Sequence, residues 1–345
     1  MRPNLPLSGR YAAVLLSLCV RGWTAASEDG ANQAARNPLF PGADPHALVV
    51  GQTFWVYPTF SPRGRGEFYA FASSNLVDWQ RQGPVLSLHD AAWIKEDGRT
   101  WHGAWAPCLA QREGRYFFYY SVGPQTVTNP SRIGVAVGNH PAGPFRDLGK
   151  PLLTGGEGFE AIDPMVFTDS KSGKSWLYAG GSGGSRLRVF EMNEDMISFA
   201  REVAVETPPN FTEGAFLHER EGCYYLSYSH GDWQRSDYSV HYATSTTPVG
   251  PWQYRGAILA SDSHHKGPGH HAILRDPRNG GWLIFYHRWN DVRGEGPYAG
   301  SRQVCVERLE YDEEGCIRPV TMTSARSEVA PRGSIGASSR TLGDR

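Results

Sequence analysis

Gly51-Gln-Thr-Phe-Trp-Val-Tyr57 decides the fold, because its pattern returns along the chain. Gly114-Arg-Tyr-Phe-Phe-Tyr-Tyr120, Gly173-Lys-Ser-Trp-Leu-Tyr178, Gly222-Cys-Tyr-Tyr-Leu-Ser-Tyr228 and Gly280-Gly-Trp-Leu-Ile-Phe-Tyr286 each set a glycine at a turn before an aromatic-rich strand ending near a tyrosine. The copies lie about 50–60 residues apart, an interval that marks a repeat architecture. Aromatic and β-branched side chains suit a pleated, half-buried surface, and the leading glycine suits a hairpin turn.

A second signal follows some copies. Gly134-Val-Ala-Val-Gly-Asn-His-Pro-Ala-Gly-Pro-Phe145 resembles His241-Tyr-Ala-Thr-Ser-Thr-Thr-Pro-Val-Gly-Pro-Trp252, and Ala70-Phe-Ala-Ser-Ser-Asn-Leu-Val-Asp-Trp79 is a looser relative. Each reads as a third strand, a turn and a fourth strand opened by an aromatic. Five such units predict an all-β, five-bladed β-propeller over residues 35–323. Two β-sandwiches in tandem are the competing arrangement, but no Pro/Gly/Ser linker divides the chain.

The composition agrees and excludes some partners. Among 345 residues there are 40 Gly and 24 Pro, with 12% aromatics, as expected for short strands joined by tight turns. A net charge of -1 gives no reason to expect nucleic acid or an anionic membrane as partner. At the N-terminus, Arg2 and Arg10 precede an apolar run from Tyr11 to Val20, followed by Thr24-Ala25-Ala26. That layout predicts a secretory signal over residues 1–26, hence a secreted or periplasmic protein. Cys108, Cys223, Cys305 and Cys316 remain after its removal, and the sequence leaves open whether they pair or stay free. Residues 324–345, rich in Ser, Arg and Gly, read as a flexible tail.

In a propeller the first strand of each blade lines the central channel. Just ahead of the repeat glycines stand Ala43-Asp44-Pro45-His46, Trp105-Ala106-Pro107-Cys108, Ile162-Asp163-Pro164-Met165, Thr212-Glu213-Gly214-Ala215 and Gly269-His270-His271-Ala272. Asp44, Asp163 and Glu213 are carboxylates in otherwise apolar strands, where an unpaired charge is costly. The reading places them at equivalent points of three blades, with Cys108 and His270 at that point in the other two. Acids that meet in one cavity suit glycoside hydrolysis, which needs one protonated carboxyl at the leaving oxygen and one carboxylate acting on water or sugar. Crowded like charges raise the pKa of one member and keep it protonated.

Taken in order from about Asn37 to Pro319, these motifs resemble glycoside hydrolase family 43. The resemblance implies a five-bladed propeller that acts on arabinose- and xylose-containing polysaccharides by inversion. By motif, Asp44 resembles the general base, Asp163 the pKa modulator that also positions the acid, and Glu213 the general acid. Arg302, in Gly300-Ser-Arg-Gln-Val304, resembles an arginine beside the modulator and the substrate, where it would hold Asp163 ionised. The family usually has Asp where this chain has Cys108. The first histidine of the Gly-His-His motif, here His270, holds a calcium or sodium ion in several relatives, so a structural Ca2+ or Na+ in the channel is an expectation. No cofactor is needed for the chemistry.

Adjacent histidines on a strand point to opposite faces, so His270 and His271 are not expected to share one ion. Of Trp93, Trp101 and Trp105, the last stands beside the channel position and is the candidate for stacking on a sugar. Asn210-Phe-Thr212 is a glycosylation sequon directly before Glu213, where a glycan would obstruct the site. The alternatives to an arabinofuranosidase or β-xylosidase are a non-catalytic carbohydrate-binding propeller, a retaining fructan- or sucrose-type hydrolase, and a protein-interaction scaffold.

Overall fold

The computed structural model describes residues 36–61 and 66–325. The proposed leader lies outside them, as does the tail beyond Ala325. The described residues form a five-bladed β-propeller.

Blade one is β2 (Ala43–Val50), β3 (Thr53–Thr59), β4 (Glu67–Ser73) and β5 (Gln80–Ser87). Blade two is β6 (Ala104–Arg112), β7 (Arg115–Val122) and β8 (Arg132–Gly138), with the short β9 (Arg146–Asp147) and β10 (Leu153–Thr154) both paired to β8. Blade three is β11 (Met165–Thr168), β12 (Ser175–Ala179), β13 (Arg188–Met192) and β14 (Phe199–Val203). Blade four is β15 (Glu213–Arg220), β16 (Cys223–His230), β17 (Ser239–Ser245) and β18 (Gln253–Leu259). Blade five is β19 (Lys266–Arg275), β20 (Trp282–Trp289) and β21 (Gln303–Leu309), completed by β1 (Phe40–Pro41) from the other end of the chain. All strand pairs are antiparallel, as hairpin connections require.

The repeat has a local cause. All five repeat glycines have positive φ, from 64° at Gly51 to 86° at Gly222, a backbone that glycine adopts without a Cβ penalty. In blades two and four the turn is two residues long, Glu113-Gly114 and Glu221-Gly222, with φ positive at both, the geometry that matches strand twist. The tyrosines that end the repeat are buried, and their hydroxyls are satisfied by a neighbouring blade or their own. Tyr57 of blade one donates to the Pro141 carbonyl at 2.7 Å, and Tyr178 of blade three donates to that of Pro248. Both acceptors belong to the Pro-x-Gly-Pro turns of the second repeat signal, so the two sequence patterns are halves of one inter-blade contact.

The ring closes through β1. Phe40 lies opposite Val304 in blade five and stacks on Phe71 of blade one, with centroids 3.9 Å apart. Asn37 locks the seam: its amide donates to the Val306 carbonyl at 2.8 Å and accepts the Val306 N–H at 2.9 Å. Ser324 and Ala325, the first residues assigned to the tail, are held by the body, since Arg288 donates to Ser324 Oγ at 3.0 Å and the Ala325 N–H to the Asn37 carbonyl at 2.8 Å. All four described cysteines are free thiols; Cys108 and Cys305 are buried in the core.

Candidate active site

The five inner strands β2, β6, β11, β15 and β19 surround the axis, and each chain path is kinked at the same level. Ladder register shifts fall between Ala43 and His46, Trp105 and Cys108, Glu213 and Phe216, and Gly269 and His271. A bulge of this kind adds one residue and re-aims the side chains around it. The residue at this place has positive φ in every blade, blade three included, where it lies just ahead of β11: Asp44 at 47°, Ala106 at 46°, Asp163 at 53°, Gly214 at 63° and His270 at 36°. Four of these are not glycine, a strain that collects at functional sites.

These bulges correct the equivalence read from the sequence. Asp44, Asp163 and His270 do share one place, but in blade two that place belongs to Ala106 and in blade four to Gly214. Cys108 lies two residues further on, buried, and accepts the Val166 N–H at 3.4 Å. Burial pushes its thiol up to about 12, as befits a core residue. Glu213 stands one residue ahead of its bulge. The prolines Pro45, Pro107 and Pro164 align Ala106 with Asp44 in the sequence itself, whereas blade four has Ala215 in place of that proline and only the ladder shows the offset of Glu213.

The N–H of each of these positive-φ residues is capped by a side chain, mostly from the preceding blade. Asp44 donates to His287 Nδ1 at 2.9 Å, Ala106 to Thr59 Oγ1 at 2.7 Å, Asp163 to Ser121 Oγ at 2.9 Å and His270 to Ser229 Oγ at 2.8 Å. Thr59, Ser121, Ser229 and His287 occupy matching positions near the ends of the second strands. The fifth such position is Gly180, which has no side chain, and there the Asp163 carboxylate accepts the Gly214 N–H itself at 3.1 Å. The adjoining Gly181 leaves room for the acid: a Cβ there would lie 2.3 Å from Glu213 Cβ.

The resulting pocket has a volume of about 390 Å3, and Asp44, Asp163, Glu213, Arg302, Trp105 and His270 all line it. Trp105 is half-buried, its ring against the backbones of Gly103 and Gly123, where a Cβ would approach it to 2.9 and 3.0 Å. Trp101 stands at the rim, 73% exposed, whereas Trp93 is core and donates to Asp147 Oδ1 at 2.9 Å. Asn210 of the sequon is exposed, while Phe211 behind it is buried.

The three acids differ in their partners. Asp44 Oδ1 accepts from Arg302 Nη1 at 3.1 Å and Oδ2 from Thr59 Oγ1 at 2.7 Å. Burial works to raise its pKa, but the guanidinium, with lesser help from His270, His287 and the Thr59 hydroxyl, outweighs burial and holds the carboxyl well below the usual range. Burial also keeps both histidines low, so near neutral pH the durable positive charge is that of Arg302. Asp163 is pushed up by burial and then by Glu213 and Asp44. Glu213 is likewise raised by burial, against hydrogen bonds from Ser182 Oγ to Oε2 at 2.5 Å and Tyr238 OH to Oε1 at 2.8 Å. The buried Asp163–Glu213 pair therefore titrates as a unit that keeps a proton.

Arg302 thus sits on Asp44 and not, as the motif suggested, on Asp163. Its guanidinium also lies over the Trp233 ring, 4.5 Å from the centroid, and Trp233 is stacked on Trp289. His270 Nδ1 is 3.7 Å from Asp44 Oδ1 and 3.5 Å from Asp163 Oδ2. Among the described residues no group of three or more His, Cys, Asp or Glu side chains is arranged to hold a metal ion. His271 turns away, its Nε2 2.6 Å from Ser227 Oγ. Sequence reasoning missed Thr59, Ser182, Trp233 and Tyr238. Only Ser182 had a visible signal, the run Gly180-Gly-Ser-Gly-Gly-Ser185.

Comparison with known proteins agrees with this geometry. Residues 35–317 match the sequence profile of Glycosyl hydrolases family 43. A beta-D-galactofuranosidase of Aspergillus niger is 34% identical over 312 residues, which cover 85% of this chain and 86% of that one. A xylosidase/arabinosidase of Bacteroides ovatus is 29% identical over 335 residues, covering 81% and 95% respectively. The crystal structure of a thermostable family-43 glycoside hydrolase superposes with a TM-score of 0.70 at 26% identity, covering 87% of this chain and 99% of that one.

Proposed function

The chain belongs to glycosyl hydrolases family 43, and from that premise we propose a secreted, inverting glycosidase that removes arabinofuranosyl or xylosyl units from arabinoxylan-type substrates. It is a glycoside hydrolase on a five-bladed propeller; the sugar, the stereochemistry and the export are the proposal.

One observation carries the mechanism: two carboxyls of the same pocket have opposite proton affinity, Asp44 low and Glu213 high. In the proposed reaction Glu213 protonates the leaving glycosidic oxygen as the bond to the anomeric carbon breaks. Asp44, ionised, takes a proton from the water that attacks the opposite face of the sugar. Asp163 forms with Glu213 a coupled pair that shares a proton, and it orients the strand that carries Glu213 through the Gly214 N–H. Arg302 keeps Asp44 ionised and offers its remaining donors to the substrate. Trp105 supplies an apolar face for the ring.

Export is supported by the charged, apolar and small-residue segments of residues 2–26. N-terminal sequencing of protein from the medium or periplasm tests it; a mature chain that still begins at Met1 contradicts it. The relative with 34% identity makes a β-D-galactofuranoside the second substrate to try. A panel of nitrophenyl α-L-arabinofuranoside, β-D-xyloside and β-D-galactofuranoside, with arabinoxylan and linear arabinan, decides among them. Turnover of the first two glycosides and of arabinoxylan is expected; activity on the galactofuranoside alone overturns the assigned sugar.

A further inference from the structure

Glu213 is gripped at both oxygens by hydroxyls of different character. Tyr238 is fully buried behind the pocket, stacked on His287 and packed so closely on Gly269 that a Cβ there would lie 2.0 Å from its ring. Ser182 is exposed, lines the pocket and is held with φ 44° in the glycine-rich run between β12 and β13. Oε1 of Glu213 therefore faces the protein and Oε2 faces the substrate space.

The inward side has a fixed hydrogen-bond direction. The His270 N–H can only donate, and it donates to Ser229 Oγ at 2.8 Å. On the same inward side the Tyr238 hydroxyl donates to Glu213 Oε1 at 2.8 Å. Burial pushes the phenol well above its ordinary pKa, so its proton stays in place. A buried phenol that keeps its proton donates its hydrogen bond to Oε1, and Oε1 is thereby kept as an acceptor.

We propose that Tyr238 is a positioning residue that fixes the transferable proton of Glu213 on Oε2, and that Ser182 is the resting partner of that oxygen, displaced when the leaving group binds. This rests on Glu213 being the acid. In the step, the electron pair of the bond between the anomeric carbon and the leaving oxygen goes to that oxygen, which takes the proton from Oε2. The attacking water forms the new bond to the anomeric carbon and gives its proton to Asp44. One water is consumed and two hydroxyl groups are made. Tyr238 continues to donate to the carboxylate that remains.

The test is Tyr238→Phe, which keeps the ring against Gly269 and removes only the donor, assayed on phenyl glycosides of graded leaving-group acidity. The expected loss in kcat/KM is roughly tenfold or more for poor leaving groups and slight for a dinitrophenyl group, which needs little protonation. The alkaline limb should move up by about one pH unit, because a donor to the ionised carboxylate has gone. Ser182→Gly, which suits the local backbone, should raise the alkaline limb of kcat/KM but not that of kcat, since the substrate has already displaced the serine in the bound state. Wild-type leaving-group dependence and alkaline limb in Tyr238→Phe overturn the proposal. So does a Ser182→Gly shift that appears in kcat as well, a result available even if the Tyr238 variant does not fold. Glu213→Gln separates the underlying reading: if it hydrolyses poor leaving groups as well as wild type, Glu213 is not the acid.

Discussion

Asp44 and Asp163 are the same local structure in opposite electrical settings. Both precede proline, both stand at the same place on an inner chain path, and their φ values are 47° and 53°. Both are buried and both donate their N–H to a side chain near the end of a preceding second strand. Yet Asp44 is held low and Asp163 is pushed high. The difference comes from what the neighbouring blades supply. Asp44 faces Arg302 and the Thr59 hydroxyl; Asp163 faces Glu213 and receives one backbone N–H. The place on the chain path sets where a carboxyl points, and its neighbours set what it does there.

The largest expected effect breaks this comparison at Asp44. Asp44→Asn keeps the shape and the bulge but removes the base, and kcat/KM should fall about 10²–10⁴-fold with folding intact by circular dichroism. Asp163→Asn should cost less, about 10–10²-fold, and it should shift the pH profile. Without the second carboxyl Glu213 gives up its proton more easily, so the alkaline limb should move to lower pH. Equal losses and unmoved limbs in the two variants would mean that the two aspartates do not have distinct roles.

Arg302→Gln tests the cause of the difference. Asp44 must be ionised to accept a proton, so activity falls as pH drops through its pKa. The guanidinium depresses that pKa; without it the acidic limb should move to higher pH by about one unit or more. An unmoved acidic limb would show that Arg302 does not hold Asp44 low. The smallest effect is expected from Trp233→Leu, which leaves Arg302 in place but removes the ring under it. The acidic limb should rise by a few tenths of a pH unit, in keeping with a half-exposed cation–π contact of about 0.5–1 kcal/mol.

Much of the fold was legible because its causes are local. The Gly at each hairpin and the tyrosine near the end of each following strand are fixed by turn geometry and burial, and both leave a mark in the chain. The closure of blade five by Phe40–Pro41 left none, since it depends on a pairing with residues near the other end of the sequence. At the site, Asp44, Asp163, Glu213, Arg302, Trp105 and His270 were all found by motif and do meet in one pocket. Their partners were not. Arg302 could be placed in the cavity, but not on Asp44 in preference to Asp163, because a long side chain chooses between acids a few ångströms apart. Thr59 and Tyr238 look like ordinary strand residues, and only three-dimensional packing brings their hydroxyls to the acids. Cys108 was matched to the wrong level although the aligned prolines Pro45, Pro107 and Pro164 already put Ala106 level with Asp44; the polar side chain expected there is only a methyl group.

The central claim is that an ionised Asp44 directs water at one face of the sugar while Glu213 protonates the leaving group on the other. Proton NMR during hydrolysis of a turned-over glycoside reads this directly, before mutarotation mixes the anomers. The account predicts that the first-formed sugar has the anomeric configuration opposite to that of the substrate. A first product of retained configuration would contradict it and make one of the carboxylates a nucleophile.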